Sequence, residues 1–193
     1  MGALPSAAVL RAGGSALVLD LEGPRPPRVL HWGSDLGELS ASELDSLRLA
    51  TKIQRGHSGF DQPVRASVTR DSGEGFLGTP AISGHRAGTA FSNRFEIVSG
   101  QVSAQSVDVT LVDRAAQLEL RMWFVMSDSG VLRVQATLQN DGEGEYTLND
   151  LNLALPLSSK ATELTDFTGN WSRPYREAGY DVRQVDLQNG QDA

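Results

Sequence analysis

Cysteine is absent from the 193 residues. That absence excludes disulfides, thiolate zinc sites and a cysteine nucleophile, and a chain without disulfides is expected in the cytoplasm. Positive charge is scarce too: 17 Lys and Arg stand against 24 Asp and Glu, a net charge of −7. With no basic stripe to neutralise a run of phosphates, nucleic acid is not an expected partner. No apolar run approaches the roughly 20 residues of a bilayer-spanning helix, and Met1–Arg11 lacks a basic start followed by an apolar stretch. Neither a membrane partner nor a secretory leader is expected. Walker loops, a GxGxxG turn, HExxH, an EF-hand loop and the GxSxG elbow are all missing, so no cofactor is expected. His31, His57 and His85 are too far apart in sequence to form a metal pair. Each is expected to be satisfied by a hydrogen bond at a sheet edge, and no metal is expected.

What is present is alternation. Every second residue is apolar over several stretches, which places one face of a strand on a core. Ala16–Leu21 and Val29–Trp32 read as early strands, Phe91–Val98 as a third, ending at Gly100. Val102–Val112 reads as one strand with a bulge where the phase slips near Ser106. Gln117–Ser127 puts Leu118, Leu120, Met122, Phe124 and Met126 on one face, and Val131–Gln139 does the same with Leu132, Val134, Ala136 and Leu138. Tyr146–Leu155 closes the series. Ser127–Gly130 reads as a tight turn, and Asn140-Asp-Gly142 as a hairpin. One helix interrupts the strands: Ser40 and Glu43 fit a capping box opening a short helix over Ala41–Ile53. The segment Gln54–Gly88 is turn-rich, with glycine at 56, 59, 73, 75, 78, 84 and 88. Irregular stretches of that length are often binding loops. The fold class is all-β: a large antiparallel sandwich with one short helix, over residues 1–171, followed by a polar tail or linker over 172–193.

Chemistry-bearing residues are few. A sugar-cleaving site needs two carboxylates facing each other across the substrate. Asp108 and Asp113 lie on a strand and its exit, and read better as a solvated strand face and a turn residue. Trp32, Trp123 and Trp171 are weighed as sugar platforms. Trp123 sits inside an alternating strand and reads as sheet packing or an interface. Asn170-Trp-Ser172 is a chance sequon.

Several stretches taken in order resemble a family. They are Val29-Leu-His-Trp-Gly-Ser-Asp-Leu-Gly37 leading into the helix, then Gly75-Phe-Leu-Gly-Thr-Pro-Ala-Ile-Ser-Gly-His-Arg86. Leu138-Gln-Asn-Asp-Gly142, Tyr146-Thr-Leu148, Leu153-Ala-Leu-Pro156 and Leu164-Thr-Asp-Phe-Thr-Gly-Asn-Trp171 follow. This order resembles the N-terminal region of the family 36 α-galactosidases of glycoside hydrolases, in their actinobacterial branch. The resemblance covers roughly Ala16–Trp171. It departs where many relatives carry an Asp-Phe-Arg-like segment and this chain has Gly75-Phe-Leu-Gly78.

The resemblance implies a galactose-mutarotase-like supersandwich preceding a (β/α)8 barrel whose two aspartates perform a retaining hydrolysis. No catalytic residue is then expected in this chain, which reads as a piece of a longer polypeptide, inactive alone. The implied partners are the barrel, further copies in a homo-oligomer and a galactoside. Glu74, Phe76, His85, Arg86 and Trp171 are the candidates for the pocket rim or the docking face, with packing inside the sandwich as the equal alternative. A free-standing carbohydrate-binding sandwich is the other functional reading.

Overall fold

The computed structural model describes residues 4–52 and 66–157, together with the backbone of two strands at 163–168 and 181–186. Two compact units divide the chain, Met1–Pro156 and Leu157–Ala193. In the second unit β10 (Glu163–Thr168) and β11 (Asp181–Asp186) pair antiparallel, with Glu163 opposite Asp186.

The first unit begins with a three-stranded sheet in the order β1 (Ala7–Ala12), β2 (Ser15–Asp20), β3 (Arg28–Ser34). β1 was not legible from alternation, because alanines blur the contrast between its faces. Its signal is Gly13-Gly14, a two-residue loop with Ala12 opposite Ser15 and φ of +55° and +76°. Positive φ at both loop positions gives the turn that matches strand twist. Leu17 and Leu19 of β2 join the main core, while Ala16 and Val18 are buried on the opposite face.

The larger sheet is an antiparallel meander of β5 (Glu96–Val102), β6 (Ser106–Asp113), β7 (Leu118–Met126) and β8 (Leu132–Asn140). Val107, Val109 and Leu111 of β6 and Leu118 to Met126 of β7 alternate into the core, where they meet Leu10, Leu17 and Leu19. The phase slip near Ser106 is a chain reversal, not a bulge. Ser103 N–H donates to Ser106 O at 2.8 Å, and Ser106 N–H returns to Ser103 Oγ at 3.0 Å. The register shift of this hairpin lies between Ile97 and Ser99 instead. Ser127–Gly130 is the tight turn expected, with Gly130 at φ +83° and its N–H on Ser127 O at 2.8 Å.

Phe91–Val98 starts its pairing later than the pattern implies, at Glu96. The amides that would have built the earlier ladder are taken by side chains: Arg94 N–H donates to Asp113 Oδ2 at 2.9 Å and Phe95 N–H to Asp71 Oδ2 at 2.6 Å. Phe91 itself is exposed.

Asn140-Asp-Gly142 does not close a hairpin. β9 (Thr147–Leu151) leaves β8 and pairs antiparallel with β4 (Ile82–His85), a strand inside the turn-rich region. Helix α1 (Ala41–Ala50) carries the capping box: Ser40 N–H donates to Glu43 Oε2 at 2.8 Å, and Glu43 N–H reaches Ser40 Oγ at 3.4 Å. None of its residues is buried, so its stability leans on the cap and on Arg48. That guanidinium reaches Asp20, Asp45 and Ser6 O at 2.7–3.2 Å. Among the described residues no helix is long and apolar enough to cross a membrane.

Candidate functional site

The sequence candidates fall on the loops that flank β4. Asp71 opens a single 3-10 turn, Ser72–Glu74, and Gly75 leaves it at φ +88°. Two bonds pin this turn to residues 93–95: Gly73 N–H to Asn93 O at 2.9 Å, and Phe95 N–H to Asp71 Oδ2. Gly73 is required there, because a Cβ would stand 2.8 Å from both Asn93 O and the Arg94 Cβ. Burial pushes the Asp71 carboxyl up to about 6. Donors from Thr69 and Phe95 oppose the shift, while Glu74 and Asp113 add to it.

Glu74 and Phe76 sit together on this turn. The Glu74 side chain is only 8% exposed, with Oε1 3.6 Å from Arg25 Nε and Oε2 buried without a hydrogen-bond partner among the described residues. Arg70 holds φ +47°, the left-handed region that costs a non-glycine residue roughly 1–2 kcal/mol. Its guanidinium stands 5.6 Å from the Phe76 ring centroid, and its buried Nε makes no hydrogen bond among the described residues. A strained residue beside unmet polar atoms is a pattern that concentrates at functional loops. Leu77 and Phe91 add 80% and 71% exposed apolar side chains on the loops before and after β4.

His85 and Arg86 form a second group at the end of β4. His85 Nδ1 accepts from Gly88 N–H at 3.3 Å. Arg86 is committed to the domain: Nη1 donates to Glu143 O at 2.8 Å and Gly144 O at 3.1 Å, and Nη2 to Asn140 Oδ1 at 2.7 Å and Ala116 O at 3.1 Å. This is the intradomain packing alternative, in which four acceptors occupy the fork. The guanidinium also lies 5.9 Å from the Tyr146 ring centroid. Tyr146 O–H donates to Asn93 Oδ1 at 3.4 Å, and burial holds its pKa above the usual phenol value. Asn93 thus supports both groups, one through its carbonyl and one through its side chain. Trp171 and His57 lie outside the described residues. Tyr146, Arg70 and Leu77 were missed by sequence reasoning, since no spacing rule singles out a lone loop residue.

The remaining chemistry-bearing residues have packing roles. Asp108 faces solvent and grips Arg121 in two bonds of 3.1 and 2.6 Å, and Arg121 stands 4.6 Å from the Trp123 ring centroid. Asp113 points the other way and is buried. Five residues apart on one strand, the two carboxylates occupy opposite faces and do not form an acid pair across a sugar. His31 Nε2 meets Ser34 O at 2.8 Å. Among the described residues no cluster of His, Asp and Glu is placed to hold a metal ion.

The profile of the Glycosyl hydrolase family 36 N-terminal domain matches residues 25–184. This chain belongs to that family. An α-galactosidase of Escherichia coli is 29% identical over 148 residues, which are 77% of this chain and 20% of that protein. The chain therefore spans about a fifth of the curated relative it matches. Among solved structures, a variant of the family 36 α-galactosidase AgaA of Geobacillus stearothermophilus, in complex with 1-deoxygalactonojirimycin, superposes with a TM-score of 0.72 at 14% identity. The match covers 94% of this chain and 28% of that one. AgaB of the same organism gives 0.68 at 15% identity over 93% of this chain and 27% of its own. At such identities these structures establish the fold alone, and among the described residues it is antiparallel sheets, as the alternation implied, with one short α-helix.

Proposed function

We propose that this family 36 N-terminal domain serves an α-galactosidase, an enzyme acting on terminal α-galactosides, as a non-catalytic β-sandwich. It packs on a catalytic barrel, supports a homo-oligomer and lends loop residues to the rim of the galactoside pocket. The family match over residues 25–184 carries the reading. The loops around β4 are its best support for a rim or docking role. They carry Leu77 and Phe91 in the open, a strained Arg70 and a Glu74 oxygen with no donor among the described residues. Exposed apolar side chains of this size mark surfaces that meet a partner. The absence of cysteine suits a cytoplasmic setting.

The test is an assay of the 193-residue chain on an aryl α-galactoside, beside a longer polypeptide that joins it to a family 36 barrel. Turnover is expected only from the longer one, and Leu77→Asp with Phe91→Asp should weaken it. Turnover by the short chain, abolished by a substitution within it, would overturn the non-catalytic reading. Saturable quenching of Trp fluorescence by galactose in the short chain would favour a free-standing carbohydrate-binding sandwich.

A further inference from the structure

Behind the two loops that flank β4, polar groups close a ring. Asn93 is buried, and its side-chain amide works in both directions. Nδ2 donates to Asp113 Oδ2 at 3.3 Å, and Oδ1 accepts from the Tyr146 O–H at 3.4 Å. Asp113 Oδ1 accepts from Ala116 N–H at 3.0 Å, and Ala116 O accepts from Arg86 Nη2 at 3.1 Å. Arg86 then lies over the Tyr146 ring, which returns the circuit to Asn93. Members of such a network polarise one another, so the loss of one is felt by the rest. The turn Ser72–Glu74 is attached to this ring at two points. Gly73 N–H donates to Asn93 O, and Asp71 holds Phe95 N–H two residues further on.

The second loop is held against its preference. Ala87 and Ala90 take φ of +48° and +53°, in the left-handed region that alanine avoids. Such positions persist only where the surroundings over-determine them. Here the constraint is Arg86. Its N–H and carbonyl close a tight turn on Thr89 at 2.8 and 2.9 Å, while its guanidinium sits in the ring. Charge enters at Asp71, which faces Glu74 on its own turn and Asp113 at the end of β6, both of the same sign. Arg70 lies over Phe76, Arg25 pairs with Glu74 and Arg94 is exposed. Among the described residues no cationic side chain bonds to Asp71 or Asp113. An ionised Asp71 is therefore better off hydrated than enclosed, and hydrating it requires the turn to lift from Phe95.

We propose that Asn93 is the joint of a charge-operated latch: ionisation of Asp71 loosens the 72–76 turn, and Asn93 carries that loosening through Asp113 and Tyr146 to the Arg86–Phe91 loop, so the two loops open together. Burial in the closed turn raises the Asp71 carboxyl from 3.8 to about 6, and opening returns it to its ordinary value. The closed form is therefore favoured in full below about pH 4. It loses up to about a hundredfold of that advantage as pH rises through 6. His85 is the other titratable group of the second loop, its Nδ1 accepting from Gly88 N–H. A protonated His85 cannot accept that bond, so its own effect is to loosen the loop as pH falls, opposite in sign to the latch. The latch rests on contacts within this domain and not on the α-galactosidase reading.

Hydrogen exchange of the 193-residue chain between pH 4 and 8, divided by the intrinsic rate at each pH, reads the opening of each loop. Amides of 73–76 and of 86–89 should open together, by roughly fiftyfold in all, and level off above about pH 6. Low urea should leave both unchanged, which marks local opening rather than unfolding. Asp71→Asn keeps an acceptor for Phe95 and should flatten both responses. Asn93→Ser keeps the backbone carbonyl that holds Gly73 and cuts the side-chain joint, so 73–76 should still respond while 86–89 should not. Where far-UV circular dichroism shows Asn93→Ser unfolded, Tyr146→Phe removes one bond of the ring and decides by the same split, with a smaller response in 86–89 and an unchanged one in 73–76. Loops indifferent to pH, a response that survives Asp71→Asn, or a second loop that follows pH undiminished in the joint variant would overturn the proposal.

Discussion

The carboxylate of Asp71 accepts the backbone N–H of Phe95 at 2.6 Å from within the core edge, although burial favours its protonated form. The pH dependence follows from that conflict. An acid raised from 3.8 to about 6 holds its proton more tightly folded than unfolded, so protonation stabilises the fold. Stability contributed by Asp71 is full below about pH 4, declines through pH 6 and is flat above it. The span is up to about 3 kcal/mol. Asp71→Asn keeps an acceptor for Phe95 and removes the titration. Urea unfolding at pH 4 to 7 should show a decline in the parent chain that the variant lacks, and a flat difference between them would refute the assignment.

Arg86 ties β4 to the turn after β8 through four acceptors. Arg86→Ala takes the donor from Glu143 O and Ala116 O, while Gly144 O keeps Asn140 Nδ2 and Asn140 Oδ1 keeps Gly142 N–H, at a cost of about 2–4 kcal/mol. Arg86→Lys, a point charge that cannot fork, should recover only part. Gly142→Ala tests the same clamp from the other side, because its Cβ would fall 2.6 Å from Arg86 Nη2 and 2.8 Å from Gln117 Oε1. Denaturant midpoints order the three, and hydrogen exchange of 140–146 should rise in each.

Asp108 and Asp113 share β6 and should respond in opposite ways. Asp108 is half-exposed with its partner Arg121, so Asp108→Ala should cost less than about 1 kcal/mol, and less still in high salt. Asp113 accepts from the backbone N–H of Arg94, Ala115 and Ala116 and from Asn93 Nδ2, all at 2.9–3.3 Å. Asp113→Ala strands those donors and should cost about 3–5 kcal/mol. Equal costs in thermal or urea unfolding would refute the contrast.

The core of the fold was legible where large apolar residues alternate with charged ones. Leu118 to Met126 against Glu119 and Arg121 is such a case, and so is the Ser40–Glu43 cap. It was illegible where the decisive partner is distant in sequence. Phe91–Arg94 alternates like a strand, yet Asp71 and Asp113 claim the amides it would need. Asn140-Asp-Gly142 has hairpin chemistry, yet Arg86 diverts the chain. The candidate site followed the same rule. Glu74 and Phe76 were named as candidates beside the Gly75-Phe-Leu-Gly78 segment, while Tyr146 acquires its place through Arg86 and Asn93, distant in sequence, and Arg70 through a backbone angle that no spacing rule shows.

Gly13 and Gly14 look interchangeable in the sequence and are not in space. Both carry positive φ, so either substitution by alanine incurs roughly 1 kcal/mol of backbone strain. At Gly14 nothing lies within 4 Å of an added Cβ. At Gly13 that atom would stand 2.4 Å from the Ser129 carbonyl carbon, 2.5 Å from its oxygen and 2.6 Å from Gly130 N. Gly130 returns the constraint, since its own Cβ would fall 2.8 Å from Ala12 O. The tip of the β1–β2 hairpin is therefore seated directly on the β7–β8 turn, backbone on backbone, and the two sheets are aligned by that contact. Backbone atoms cannot rotate away as a side chain would, so Gly13→Ala must part the two turns. It should cost about 2 kcal/mol more than Gly14→Ala, by analogy with overpacking of a well-filled core. Chemical denaturation of the two variants at unchanged m-value measures the difference, and equal midpoints would show that φ alone, not the meeting of the turns, selects glycine at position 13.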